Sequence, residues 1–199
     1  MIPFFTIFMV VFIIILTIGL RKNSGAQEEA QERFWQREYE ANHVRKADIS
    51  NLDYITIPSD IFPQEPKTDA EARLKELSGK TILDLTGLSN TDLKMQYGVA
   101  NLQALSEYDA NFTALVVALG DYGKELLDAG RIPEAQKVLE YAVSIHADSG
   151  IIYTMLADIY KEQGQKARIS ELIASAKELK SLSRDSIVTK LTGYLPYSE

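Results

Sequence analysis

Residues 119–142, LGDYGKELLDAGRIPEAQKVLEYA, are followed 34 positions later by residues 153–176, YTMLADIYKEQGQKARISELIASA. In that register Leu119 meets Tyr153, Tyr122 meets Leu156, Gly123 meets Ala157 and Leu126 meets Tyr160. The series continues through Gly130 with Gly164, Leu139 with Ile173 and Ala142 with Ala176. Each copy reads as a helix, a turn carrying glycine, and a second helix. Small residues recur where paired helices approach closely, and large ones where space must be filled. Such hairpins stack because neither buries its apolar face alone.

The two copies, over 116–183, resemble the tetratricopeptide repeat family, with Tyr122, Gly123, Leu126, Ala135, Leu139 and Ala142 at the family's packing positions. The second copy departs from the pattern at Ile169, which stands where Ala135 is small. The proline expected at the end of each unit is replaced by Ala147 and Ser181. The resemblance implies an all-α helical-hairpin domain with a concave face built from the first helix of each unit. On that face it places Val117, Asp121, Lys124 and Asp128 of the first unit, with Ile151, Thr154, Met155, Asp158 and Lys161 of the second. These nine are the candidate partner-binding residues, for a peptide or helix ligand. Family members that clamp a peptide's terminal carboxylate use a Lys, Asn and Arg set. Gly120 and Lys124 occupy the first pair of those positions, so that clamp is not reproduced.

Upstream, Thr68 with Glu71 reads as a capping box opening a helix over Asp69–Leu77, which Gly79 ends. Ser89 or Asn90 caps a further helix over 91–107, and another run begins near Asp109. Region 68–115 is therefore the expected N-terminal helical cap of the stack. Ile187, Leu191 and Tyr194 at helical spacing suit a C-terminal capping helix within 184–199. Between 48 and 66 the β-branched run and Pro58, Pro63 and Pro66 predict an extended segment anchored by Leu52, Ile55, Ile57 and Phe62.

The other decisive stretch is Ile2–Leu20, which carries no charge. As a helix its nineteen residues reach about 28 Å, close to the ~30 Å hydrocarbon core. A cleaved signal peptide is the competing reading, but no basic residue precedes the run, and Arg21 and Lys22 would separate it from a cut at Ser24-Gly25-Ala26. The expectation is an uncleaved single-pass anchor over 1–22 that places residues 2–20 in the lipid bilayer of the cell membrane. Arg21 and Lys22 put the bulk of the chain on the cytoplasmic side. Asn23-Ser24-Gly25 reads as a hinge before a juxtamembrane helix, so 23–67 joins the anchor to the folded part. Phe34 and Trp35 on that helix are expected to pack back on the helical domain; a docking or self-association surface is the alternative. The stretch Phe34–Leu52 resembles part of single-pass bacterial membrane proteins, a likeness that implies no activity.

Composition narrows the chemistry. Net charge is -7, and no basic stripe exists beyond Arg21–Lys22, so nucleic-acid binding lacks its electrostatic footprint. There is no cysteine, hence no thiol nucleophile or thiolate metal site. The two histidines, His43 and His146, have no ligand partner at helical spacing. Gly120-Asp121-Tyr122-Gly123-Lys124 lacks phosphate-loop spacing and falls within a helix. The expectation is therefore no enzyme, no cofactor and no metal. The reading is a membrane-anchored interaction scaffold that presents a cytoplasmic groove to a protein. The alternative is a self-associating structural subunit of a membrane complex.

Overall fold

The structure, a computed structural model, describes residues 2–195, and within the first helix the side chains of 4, 5, 8–10, 12, 13 and those from 27 onward. Its elements are α1 (Ile2–Asn42), α2 (Asp69–Ser78), α3 (Asn90–Tyr97), a 3-10 turn (Val99–Asn101), α4 (Leu102–Asp128), α5 (Ile132–Ser144), α6 (Gly150–Glu162), α7 (Lys166–Lys177) and α8 (Arg184–Thr192). No strand occurs among the described residues, so the all-α expectation holds. Among those residues no helix is long and apolar enough to cross a membrane. The expected anchor falls largely on side chains outside the description. The chain forms two compact units, Met1–Ala47 with Ser89–Leu102, and Asp48–Leu88 with Gln103–Glu199.

In the first unit α1 is continuous through Asn23-Ser24-Gly25, where a hinge was expected. A single glycine in a helix costs only about 1 kcal/mol, so one such residue does not force a break. The end of α1 packs on α3. Ala41 is fully buried, Arg37 pairs with Asp92 at 2.5 Å, and Glu38 binds both Lys94 and Thr91. The Lys94 hydrogen bond, then that of Thr91, holds the Glu38 carboxyl below its ordinary range. Ser89 and Asp92 form a capping box at the start of α3.

The expected helix over 91–107 is broken at Gly98, and α4 instead starts at Leu102 and runs past Asp109 without interruption. The cause is a close crossing. Gly98 sits at φ 81°, and a Cβ there would lie 2.5 Å from the Arg45 carbonyl oxygen. Only glycine accepts both the left-handed backbone and the contact. Asn101 fixes the crossing by donating to the carbonyls of Ala47 at 2.8 Å and Tyr97 at 2.7 Å.

Phe34 and Trp35 are 52% and 59% exposed, which overturns the expectation that they pack away. α3 has only 8 residues, about 12 Å of helix, and its described side-chain bonds to α1 are made to Arg37 and Glu38.

The second unit is built on hairpins. Ile132 starts α5 and Lys166 starts α7, 34 positions apart, as are the ends of α4 at Asp128 and α6 at Glu162. Both first helices end the same way. Gly130 and Gly164 take φ 71° and 69°, and the next residue donates back to Leu126 in one case and Tyr160 in the other. This is the Schellman closure that glycine favours. His146 closes α5 similarly at φ 58°.

The repeat's small residues lie at helix crossings. Ala135, Ala142, Ala157 and Ala176 are fully buried, and a Cβ on Gly123 would come 2.7 Å from Leu139 Cδ2. Leu119, Leu126, Leu139, Tyr153, Leu156 and Ile169 fill the space between them. Each fully buried large apolar side chain contributes about 1.5–3 kcal/mol. α5 packs on α6, α6 on α7, and α8 closes the stack against both α6 and α7.

The segment before α2 is irregular, with Ile57, Ile61 and Phe62 in the core and Leu52 and Ile55 half-buried. Tyr141 holds it by donating to the Thr56 carbonyl at 3.1 Å. Lys137 pairs with Asp60 at 2.6 Å. α2 starts at the expected Thr68–Glu71 capping box and buries Leu74 and Leu77.

Candidate functional site

The nine candidate residues lie on α4 and α6, the first helices of the two hairpins. These helices touch where Gly120 faces Ile152. On α4, Val117 is 51% exposed and borders an open depression of about 420 Å³ shared with Thr86, Asp109, Phe112, Thr113 and Asp148. Asp121 lies 3.6 Å from Arg73 of α2. Lys124 and Asp128 pair with each other at 2.6 Å one turn apart, and the Asp128 carboxylate raises the Lys124 ammonium. Lys124 is the one cation on α4, against five carboxylates, so the helix keeps an excess of negative charge.

On α6, Ile151 is 67% exposed. Thr154 turns back to donate to the Gly150 carbonyl at 2.6 Å, and Met155 is half-buried against the core. Asp158 and Lys161 are both exposed, and Tyr194 touches each of them. The Tyr194 hydroxyl donates to Asp158 Oδ1 at 2.7 Å, and Lys161 Nζ sits 5.6 Å from the centre of the Tyr194 ring. Tyr194, two residues past the end of α8, thus borders this part of the face and leaves both side chains exposed. Val117 and Ile151 remain as exposed apolar side chains, one on each hairpin.

A second polar cluster escaped the sequence reading. Glu140 of α5 accepts from Tyr160 of α6 at 2.7 Å and from Arg168 of α7 at 2.9 Å. Gln136 adds a bond at 2.8 Å. Burial works to raise the Glu140 carboxyl, but these donors outweigh it and hold the group below its ordinary range. Burial, and then Glu140, push the Tyr160 phenol up. The cluster borders a cleft of about 330 Å³ whose apolar walls include Val143, Leu156 and Leu172. Its members are 20 and 28 residues apart, so no local spacing announces it.

Comparison with family models, curated proteins and solved structures finds no match.

No group of three histidine or acidic side chains suited to a metal ion occurs among the described residues. His43 Nδ1 lies 2.7 Å from the Tyr39 carbonyl oxygen, and His146 stands at the end of α5. Gly120 and Gly123 lie inside α4, where backbone N–H groups serve the helix and do not cradle phosphate.

Proposed function

We propose that this chain is a membrane-anchored scaffold of tetratricopeptide type, whose stacked hairpins present a face to a protein partner. The observation that carries this reading is the pair Val117 and Ile151. Exposed aliphatic side chains on the first helices of successive hairpins mark a place for a partner's apolar side chain. The charged side chains around them add orientation more than affinity. The anchor rests on the uncharged run Ile2–Leu20, and the cytoplasmic placement on Arg21 and Lys22. A reporter fused after Glu199 tests that placement; activity only on the outer side of the membrane overturns it.

The face is tested by photo-crosslinking in cells from positions 117 and 151, with Glu171 on α7 as the control position. The expected result is one shared adduct from 117 and 151, absent from 171 and lost in Val117→Asp/Ile151→Asp. Unrelated adducts, or adducts unaffected by that double variant, count against the face. The alternative of a self-associating subunit draws on the exposure of Phe34 and Trp35, whose surroundings favour a different occupant.

A further inference from the structure

Glu28, Glu32, Trp35 and Tyr39 stand at positions i, i+4, i+7 and i+11 of α1. That spacing places all four on one side of a helix. Each is exposed, Trp35 by 59% and Tyr39 by 66%. Phe34 meets the Trp35 ring edge-on at 5.3 Å, and the Tyr39 ring lies 4.3 Å from that of His43. The stripe therefore runs from two carboxylates to a cluster of rings, within one stiff helix.

Of the other described charges on α1, Glu29, Arg33, Arg37 and Glu38 are paired, and Glu40 accepts from Gln36. Arg33 lies 3.6 Å from Glu29, Arg37 pairs with Asp92, and Glu38 pairs with Lys94. Among the described residues Glu28 and Glu32 have no ion pair.

We infer that this stripe docks an arginine- and lysine-bearing helix of another protein. Two carboxylates one turn apart match cations one turn apart on a facing helix. The Trp35 and Tyr39 faces attract guanidinium and ammonium groups through their ring quadrupoles, arginine best because it also stacks. A second copy of this chain fits poorly. Its stripe brings only carboxylates and rings, so Glu28 and Glu32 would meet no compensating charge. An anionic lipid surface is repelled by the same two carboxylates.

Trp35 is the chain's one tryptophan, so its emission reports on this surface alone. The test titrates the full chain, in a non-ionic detergent, with a helical peptide carrying arginines at i, i+4 and i+7. The same peptide with glutamates in those places serves as the comparison. The arginine peptide is expected to change Trp35 emission saturably, and the effect to weaken in high salt. Glu28→Gln/Glu32→Gln should weaken it about fivefold, the scale of two exposed ion pairs. Glu107→Gln/Glu162→Gln, an equal charge change elsewhere, should leave it unaltered. The inference is overturned if the arginine peptide leaves the emission unchanged, if the glutamate peptide acts equally, or if the distant pair weakens binding as much. It is also overturned if emission follows protein concentration alone, which indicates self-association, or added phosphatidylglycerol alone, which indicates lipid.

Discussion

The Tyr194 hydroxyl donates to Asp158 across the contact between α8 and α6, and the same ring lies under the ammonium of Lys161. One aromatic side chain thus satisfies an acid and a base spaced three residues apart on the neighbouring helix.

Tyr194→Ala should therefore loosen α8 by about 1 kcal/mol, the usual scale of one hydrogen bond with some added ring contact. Tyr194→Phe should cost less, because the ring stays over Lys161. Amide hydrogen exchange in α8 measures both. Equal protection in wild type and Tyr194→Ala would show that the ring adds nothing to the docking of this helix.

Gly98→Ala should disrupt the first unit. The new methyl group would collide with the Arg45 carbonyl, and the left-handed backbone adds strain, so a loss of at least ~2 kcal/mol is expected. Amides of Ala47 and Asn101 should lose protection first, because their hydrogen bonds define the crossing. Unchanged exchange at those two amides would mean the backbone moves aside at no cost.

Ala176→Arg should destabilise the hairpin stack by roughly 2–4 kcal/mol, through overpacking and a buried charge. Ala167→Arg, on the exposed start of the same helix, should stay within about 0.5 kcal/mol. Thermal unfolding of the two variants side by side separates loss of packing from a general effect of added charge.

Alkaline pH should unfold the second unit. Burial raises the phenols of Tyr141, Tyr153 and Tyr194 to about 12 from an ordinary value of 10. Asp148 and Glu178 add to the effect at Tyr153, and Asp158 at Tyr194. Above pH 10 the unfolded chain releases protons that the folded chain retains. Stability from these groups is thus complete below pH 10 and declines as pH climbs through about 12. Tyrosinate absorbance should appear together with loss of helix. Ionisation of every tyrosine near pH 10 with the helices intact would refute this. Tyr153→Phe should cost little, because the buried Tyr153 hydroxyl has no hydrogen-bond partner.

What was legible in the sequence was local or periodic. The Thr68–Glu71 capping box and a cap at Ser89 or Asn90 announce themselves within a few residues. The 34-residue register named Gly123, Ala142, Ala157 and Ala176 as crossing points because a helix pair needs small residues wherever its axes approach. The break at Gly98 was hidden, since its cause is the Arg45 backbone more than fifty residues earlier. Asp158 and Lys161 are solvent-facing, as their own helix suggests, but their partner Tyr194 lies more than thirty residues on, beyond any local spacing. Phe34 and Trp35 illustrate the converse. Aromatic rings are ordinarily buried, and nothing nearby in sequence shows that these two stay exposed.

The Glu140 carboxylate, bound to one phenol and one guanidinium from the two helices that follow it, has a consequence for how this protein comes apart. Removal of α7 would leave Glu140 and Tyr160 without their shared cation, and removal of α6 would leave Glu140 and Arg168 without the phenol that both touch. Shortening the chain by one helix in this region therefore loses polar bonds as well as apolar packing. The three helices should melt and be digested together, and partial degradation should leave either the whole bundle or none of it.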